Sequence, residues 1–190
     1  MDTKAFREGF RDGIPIGLGY LAVSFSLGIS AKQAGLTPLQ GFVTSFLENA
    51  SAGEYIAFTL IGAGATYIEL CLMTIIANAR YLLMSCAMSQ RFSPDTPMIH
   101  RFFVAFDLTD ELFGIAIGRP GYLNPYYSYG AFLVALPGWS IGTAAGVIAG
   151  NLLPGDMVKA LSVSLFGMFL AIIIPVSYTH LRAHETVLDL

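Results

Sequence analysis

Arg80 stands eleven residues after Glu69, in a stretch (66–90) that is otherwise apolar enough to cross a bilayer. A spanning helix takes about 20 mostly apolar residues. Drawn as one helix, the 3.6-residue period returns Glu69 and Arg80 to nearly the same face, with Asn78 just ahead of the arginine. An arginine at bilayer depth costs about 3 kcal/mol on insertion scales. It must face protein or water, and it needs an anion. Two anions suit it, and they are compatible: a structural carboxylate of the bundle, or the carboxylate of a solute being carried.

A second constellation lies in residues 40–64, where Glu48-Asn49-Ala50-Ser51-Ala52-Gly53-Glu54 interrupts an apolar run. Two carboxylates, an amide, a hydroxyl and a glycine make a poor lipid-facing helix. Irregular backbone at membrane depth is tolerated only when buried in protein or lining a water cavity. The segment therefore reads as a broken or re-entrant element rather than a kinked continuous helix. Interrupted helices of this kind expose their ends to substrate in many carriers. A third constellation is Asp107, Asp110, Glu111, Gly114 and Gly118, spaced as one stripe of a helix over 102–118. Three ionised acids in lipid would cost about 9 kcal/mol, so the stripe faces the bundle or the helix lies at the interface. Arg80 is the natural counter-charge, and an ion pair is favoured over a proton relay.

These groups need a membrane scaffold, and the composition supplies one. Of 190 residues, 55% are hydrophobic and 12% charged, and the net charge is only −3; mean hydropathy is +0.64. Soluble domains are closer to a quarter charged, and no nucleic-acid footprint is present. Cys71 and Cys86 fall on one expected helix, about 22 Å apart, too far to bridge. The N-terminus, with Lys4, Arg7 and Arg11, is not a cleavable signal. It reads as a short interfacial helix feeding a charge-free span (13–31) with a helix-start proline, Pro15, and packing positions at Gly13, Gly17, Gly19 and Gly28. A second charge-free span (130–153) carries Gly142, Gly146 and Gly150 every fourth residue, a close-packing face, with a kink expected at Pro137-Gly138. Tyr122, Tyr126, Tyr127 and Tyr129 before it suit an aromatic interfacial belt.

With the N-terminus cytoplasmic, a full crossing by 40–64 puts Lys4, Arg7, Arg11 and Arg119 inside, and Lys32, Arg91, Arg101 and Lys159 outside. If the segment dips and returns, Arg91, Arg101 and Lys159 join the first three inside, and only Lys32 and Arg119 stay outside. Basic loops prefer the cytoplasm, which favours the returning form. The ends of the two glycine-bearing spans echo each other, Gly35-Leu36-Thr37-Pro38 against Gly150 to Pro154, and that topology would make the repeat inverted. A sixth hydrophobic element follows at 157–176. The expectation is an all-α, polytopic helical membrane protein of five to six hydrophobic elements, forming one transporter domain over 1–176. Residues 177–190, with His180 and His184, resemble translated adapter or vector sequence, and are set aside as a foreign tail.

The residues resemble the AzlC family of bacterial branched-chain amino-acid permeases. The resemblance rests on Gly13-x-Pro15 with Gly19-Tyr20, on Ser45 and the small-residue break up to Glu54-Tyr55, and on Asn78-x-Arg80. It continues with His100-Arg101-Phe102 leading to Thr109-Asp110-Glu111-x-Phe113, and with Trp139-x-x-Gly142. It implies a multi-pass exporter of leucine, isoleucine, valine or similar amino acids in the bacterial cytoplasmic membrane. It also implies coupling to an ion gradient and a small AzlD-type membrane partner; separately, no cofactor is expected. Glu54 stands where the family commonly has Gln, and Tyr81 where it commonly has His. Family members run on through further spans, so the chain is expected to lack its C-terminal end.

A zwitterionic amino acid needs a positive site, acceptors for its ammonium and an apolar pocket. Arg80 with Asn78, or the helix end freed around Ser51 and Gly53, suits the carboxylate. Glu54 or Glu48 suits the ammonium or a proton. Asp107, Asp110, Glu111 and Glu69 are candidates for gating or ion coupling. An enzyme is disfavoured: no expected span holds a histidine base, no His-Glu-x-x-His is present, and no Gly-x-Gly-Asp accompanies Asp107 and Asp110. No metal site is expected. The remaining alternative is a non-transporting scaffold or sensor subunit.

Overall fold

A computed structural model describes residues 2–150, and all regular structure in them is helical. The helices are α1 (Thr3–Gln33), α2 (Pro38–Glu48), α3 (Ser51–Gly62), α4 (Tyr67–Ala77), α5 (Arg80–Ser89), α6 (Met98–Phe106), α7 (Asp110–Ile117) and α8 (Pro125–Ala149). The element at 157–176, the tail at 177–190 and the end of the echo at 151–154 lie outside the described residues. Against the five to six elements expected of the whole chain, two helices among the described residues, α1 and α8, are long and apolar enough to cross a membrane. The α4–α5 pair makes a third if its bent halves form one span.

The expected interfacial helix is not separate. Asp2 caps α1, accepting from the Lys4 and Ala5 N–H groups at 3.1 Å, and α1 runs on through Pro15. Tyr127 is buried rather than in a belt. Its hydroxyl donates to Asp12 at 2.9 Å, and the Arg119 guanidinium lies 4.3 Å from its ring centre.

α1 and α8 pack so closely that glycine is required along the seam. A Cβ on Gly9 would strike the backbone of Tyr127, on Gly13 that of Ala131, on Gly142 that of Leu21, and on Gly146 that of Phe25 and Gly28. Small residues let helix backbones approach in this way. Gly142 and Gly146 thus pack within the chain, whereas Gly150 meets only the Lys32 side chain and its own preceding turn. The partners ascend together along both helices, so α1 and α8 run parallel. Two parallel spans must be separated by an odd number of crossings. That excludes the topology in which 40–64 returns while both 66–90 and 102–118 cross, and a parallel pair is not related by inversion. The physical reason is one of scale: a handful of loop charges is a weak bias beside a continuous close-packed seam.

Three elements between these spans are interrupted. Residues 40–64 break at Asn49-Ala50, inside the polar stretch: Asn49 is left-handed (φ 42°), Ala50 is extended, and α3 starts anew. Residues 66–90, expected as one helix, bend by 50° between α4 and α5. Glu69 and Arg80 therefore do not share a face; Glu69 is spent in a capping box with Thr66, whose N–H it accepts at 2.8 Å. The stripe over 102–118 is also cut. α6 ends at Asp107, and α7 begins after Thr109, whose hydroxyl caps it. Asp107 is thereby separated from Asp110 and Glu111. Met88, Phe92, Val104, Leu108, Ala116 and Tyr127 form the apolar cluster beneath this region.

Candidate functional site

The polar residues at the three breaks are tied to one another in pairs. At the α2–α3 break, Asn49 donates its amide to Asp107 at the α6–α7 break. The neighbouring Glu48 accepts from Asn78, at the α4–α5 break, over a long 3.5 Å. Gly53 lies against this second pair, and a Cβ there would collide with the Asn78 amide and the Glu48 carboxylate. Arg80, the first residue of α5, pairs with Asp110, the first of α7, at 2.8 Å. The side chains of that pair remain 36% and 28% exposed. The Tyr81 ring stacks beside the guanidinium, 5.2 Å from ring centre to carbon.

The two long helices hold the breaks from either side. From α1, the Tyr20 hydroxyl donates to Glu111 at 2.6 Å and lies 2.5 Å from Thr109 Oγ1. Its ring meets Trp139 of α8 edge-on at 5.1 Å. Trp139 Nε1 donates to Glu54 Oε2 at 2.7 Å, and Ser45 donates to the other oxygen. Ser45 Oγ lies 2.7 Å from Thr143 Oγ1. Glu54 is 0% exposed, so both of its oxygens are committed to the protein in this conformation. It anchors α3 to α2 and α8. A further point favours it there: Glu54 sits in the first turn of α3, where the helix end attracts negative charge.

In the sequence, Tyr20, Ser45, Thr109 and Trp139 stand only as motif positions and Asn49 only within the polar stretch, with no site role for any of them, and Thr143 is not marked at all. All are neutral and lie within or beside apolar runs, so only their hydrogen-bonding capacity marks them. Two consequences can be checked by thermal unfolding of purified protein. Trp139→Phe leaves a buried carboxyl oxygen without its donor and should cost about 1–3 kcal/mol. Glu54→Gln keeps an acceptor for Trp139, and should be far milder than Glu54→Ala, which strips both bonds and leaves a cavity.

The sequence matches the family described as AzlC protein over residues 15–153, a range that includes all three breaks. This chain belongs to that family. An uncharacterized membrane protein of Archaeoglobus fulgidus is 29% identical over 95% of this chain and 80% of its own length. The inner membrane protein YgaZ of Escherichia coli is 27% identical over 78% of this chain and 62% of its own length. The branched-chain amino acid transport protein AzlC of Bacillus subtilis is 25% identical over 77% of this chain and 58% of its own length. No solved structure matches the chain. The long apolar helices and the membrane-protein relatives agree: this AzlC-family chain is a polytopic membrane protein.

Proposed function

We propose that the chain is the large, substrate-carrying subunit of an exporter for branched-chain or related hydrophobic amino acids, seated in the cytoplasmic (inner) membrane and coupled to an ion gradient. It is not an enzyme. The observation that carries the reading is the Arg80–Asp110 pair at 2.8 Å, about a third exposed, with each partner at the start of a helix that follows a break. A zwitterion can insert into such a pair. Its carboxylate takes the guanidinium, and the released Asp110 accepts from its ammonium, so charge stays balanced throughout. The α3 N-terminus, whose cap residue Ala50 offers no side-chain bond, presents N–H groups around Ser51 as a second carboxylate site. Support also comes from the Bacillus relative, which is named a branched-chain amino acid transport protein.

The small AzlD-type subunit belongs to the same proposal. α4 buries none of its residues, and Tyr67, Ile68, Leu72, Ile75 and Ile76 are all exposed. We assign that surface to lipid and to the small subunit. The test is counterflow in vesicles holding this chain with the small subunit and loaded with unlabelled leucine, isoleucine or valine. External labelled leucine should accumulate transiently. Lack of exchange for every hydrophobic amino acid tried would favour a scaffold or sensor instead.

A further inference from the structure

We infer that the Asn49–Asp107 junction is a binding site for a small monovalent cation of the sodium class. Asp107 is 1% exposed and Asn49 6%. Asn49 Nδ2 donates to Asp107 Oδ1, but Asp107 Oδ2 and Asn49 Oδ1 are both buried without a hydrogen-bond partner. Buried polar atoms are nearly always satisfied, and an orphan asks for a water or an ion. Here two orphaned oxygens belong to two side chains already bonded to each other.

The backbone raises the demand for positive charge. Asn49 is the C-cap of α2 and Asp107 the C-cap of α6. Helix C-termini carry partial negative charge and leave their last carbonyls without intrahelical partners. A carboxylate at one such end, bonded to the residue that caps a second, adds its charge to theirs. No cation among the described residues answers it: their ion pairs are Arg80 with Asp110, and Arg119 with Glu8 and Asp12.

The donors identify the occupant. Carboxylate and amide oxygens are hard ligands that suit alkali and alkaline-earth ions rather than zinc or copper. One carboxylate balances one positive charge, which favours a monovalent ion. Leu108 and Thr109 beside Asp107 are buried as well, so the enclosure suits a bare ion better than the ammonium of a whole amino acid. Carriers use the C-terminal ends of interrupted helices for sodium in this manner. Binding itself is independent of transport; that the ion drives export rests on the carrier reading.

The experiment is thermal unfolding of the purified full chain in nanodiscs, in sodium, potassium or choline chloride at equal ionic strength. Sodium should raise Tm saturably and choline should not. Asp107→Asn and Asn49→Ala should each lose the shift, while the exposed-loop variant Asp95→Asn should keep it. Saturable binding of radioactive sodium to the unmutated chain gives a readout that does not depend on a variant folding. The inference is overturned by equal Tm in all salts, by a sodium shift that survives in Asp107→Asn, or by stabilisation from acid alone, which would make the occupant a proton. Sodium binding without amino-acid exchange would support the site and count against the carrier.

Discussion

Arg80→Gln should abolish amino-acid exchange while the protein remains folded in the membrane. Losing a charge-assisted hydrogen bond costs about 1.5–3 kcal/mol. The Arg80–Asp110 side chains are about a third exposed, so the lower half applies, and about 2 kcal/mol is roughly a 30-fold loss of affinity. The variant also strands Asp110, which confuses a binding role with a stabilising one. Arg80→Gln with Asp110→Asn separates them. The double variant removes both charges, so it should unfold close to the original temperature yet still fail to exchange leucine. Arg80→Lys should be intermediate, since an ammonium keeps the charge but loses the planar fork that matches a carboxylate. Initial rates of labelled-leucine counterflow, normalised to protein in the vesicle, give the comparison.

Gly28→Leu should be among the most destructive single changes to the fold. A Cβ at Gly28 meets the Thr143 carbonyl oxygen and lies 2.8 Å from Gly146 Cα. Overpacking a core costs about 1–3 kcal/mol where side chains can shift; here the obstacle is backbone, so the cost lies at or above the top of that range. The parallel pair would separate, and with it the frame that holds Tyr20 against Glu111 and Trp139 against Glu54. Gly19→Leu is the control on the same helix, because nothing lies within 4 Å of a Cβ there. The yield of monodisperse protein in mild detergent, with Tm, should fall sharply for Gly28→Leu and hold for Gly19→Leu.

The break at Asn49-Ala50 was legible because seven polar or small residues in an apolar element cannot face lipid. The other two breaks were hidden for different reasons. Asn78 sits in a run whose hydrophobicity suits a continuous span, and a single amide does not announce a 50° bend. At 107–111 the acids recur with helical spacing, which imitates a stripe. The competing signal was Thr109 followed by two acids, the pattern of a capped helix start. The glycine spacing of α8 showed that it packs closely against another helix; the direction of its partner was not legible, since glycine ladders serve parallel and antiparallel pairs alike. Neutral residues that complete the site, Tyr20 and Trp139 above all, carry no charge to mark them. Their roles emerge only when α1 and α8 are brought together.

Ligand-induced thermal stabilisation tests most directly whether the Arg80–Asp110 pair opens for the two charged ends of an amino acid. Leucine should raise the Tm of the purified protein with its small subunit. 3-Methylbutylamine, which has the same side chain and ammonium but no carboxylate, should not, and leucine should have no effect on the Arg80→Gln, Asp110→Asn double variant. Equal stabilisation by leucine and the amine, or a leucine shift that persists in the double variant, would contradict the account.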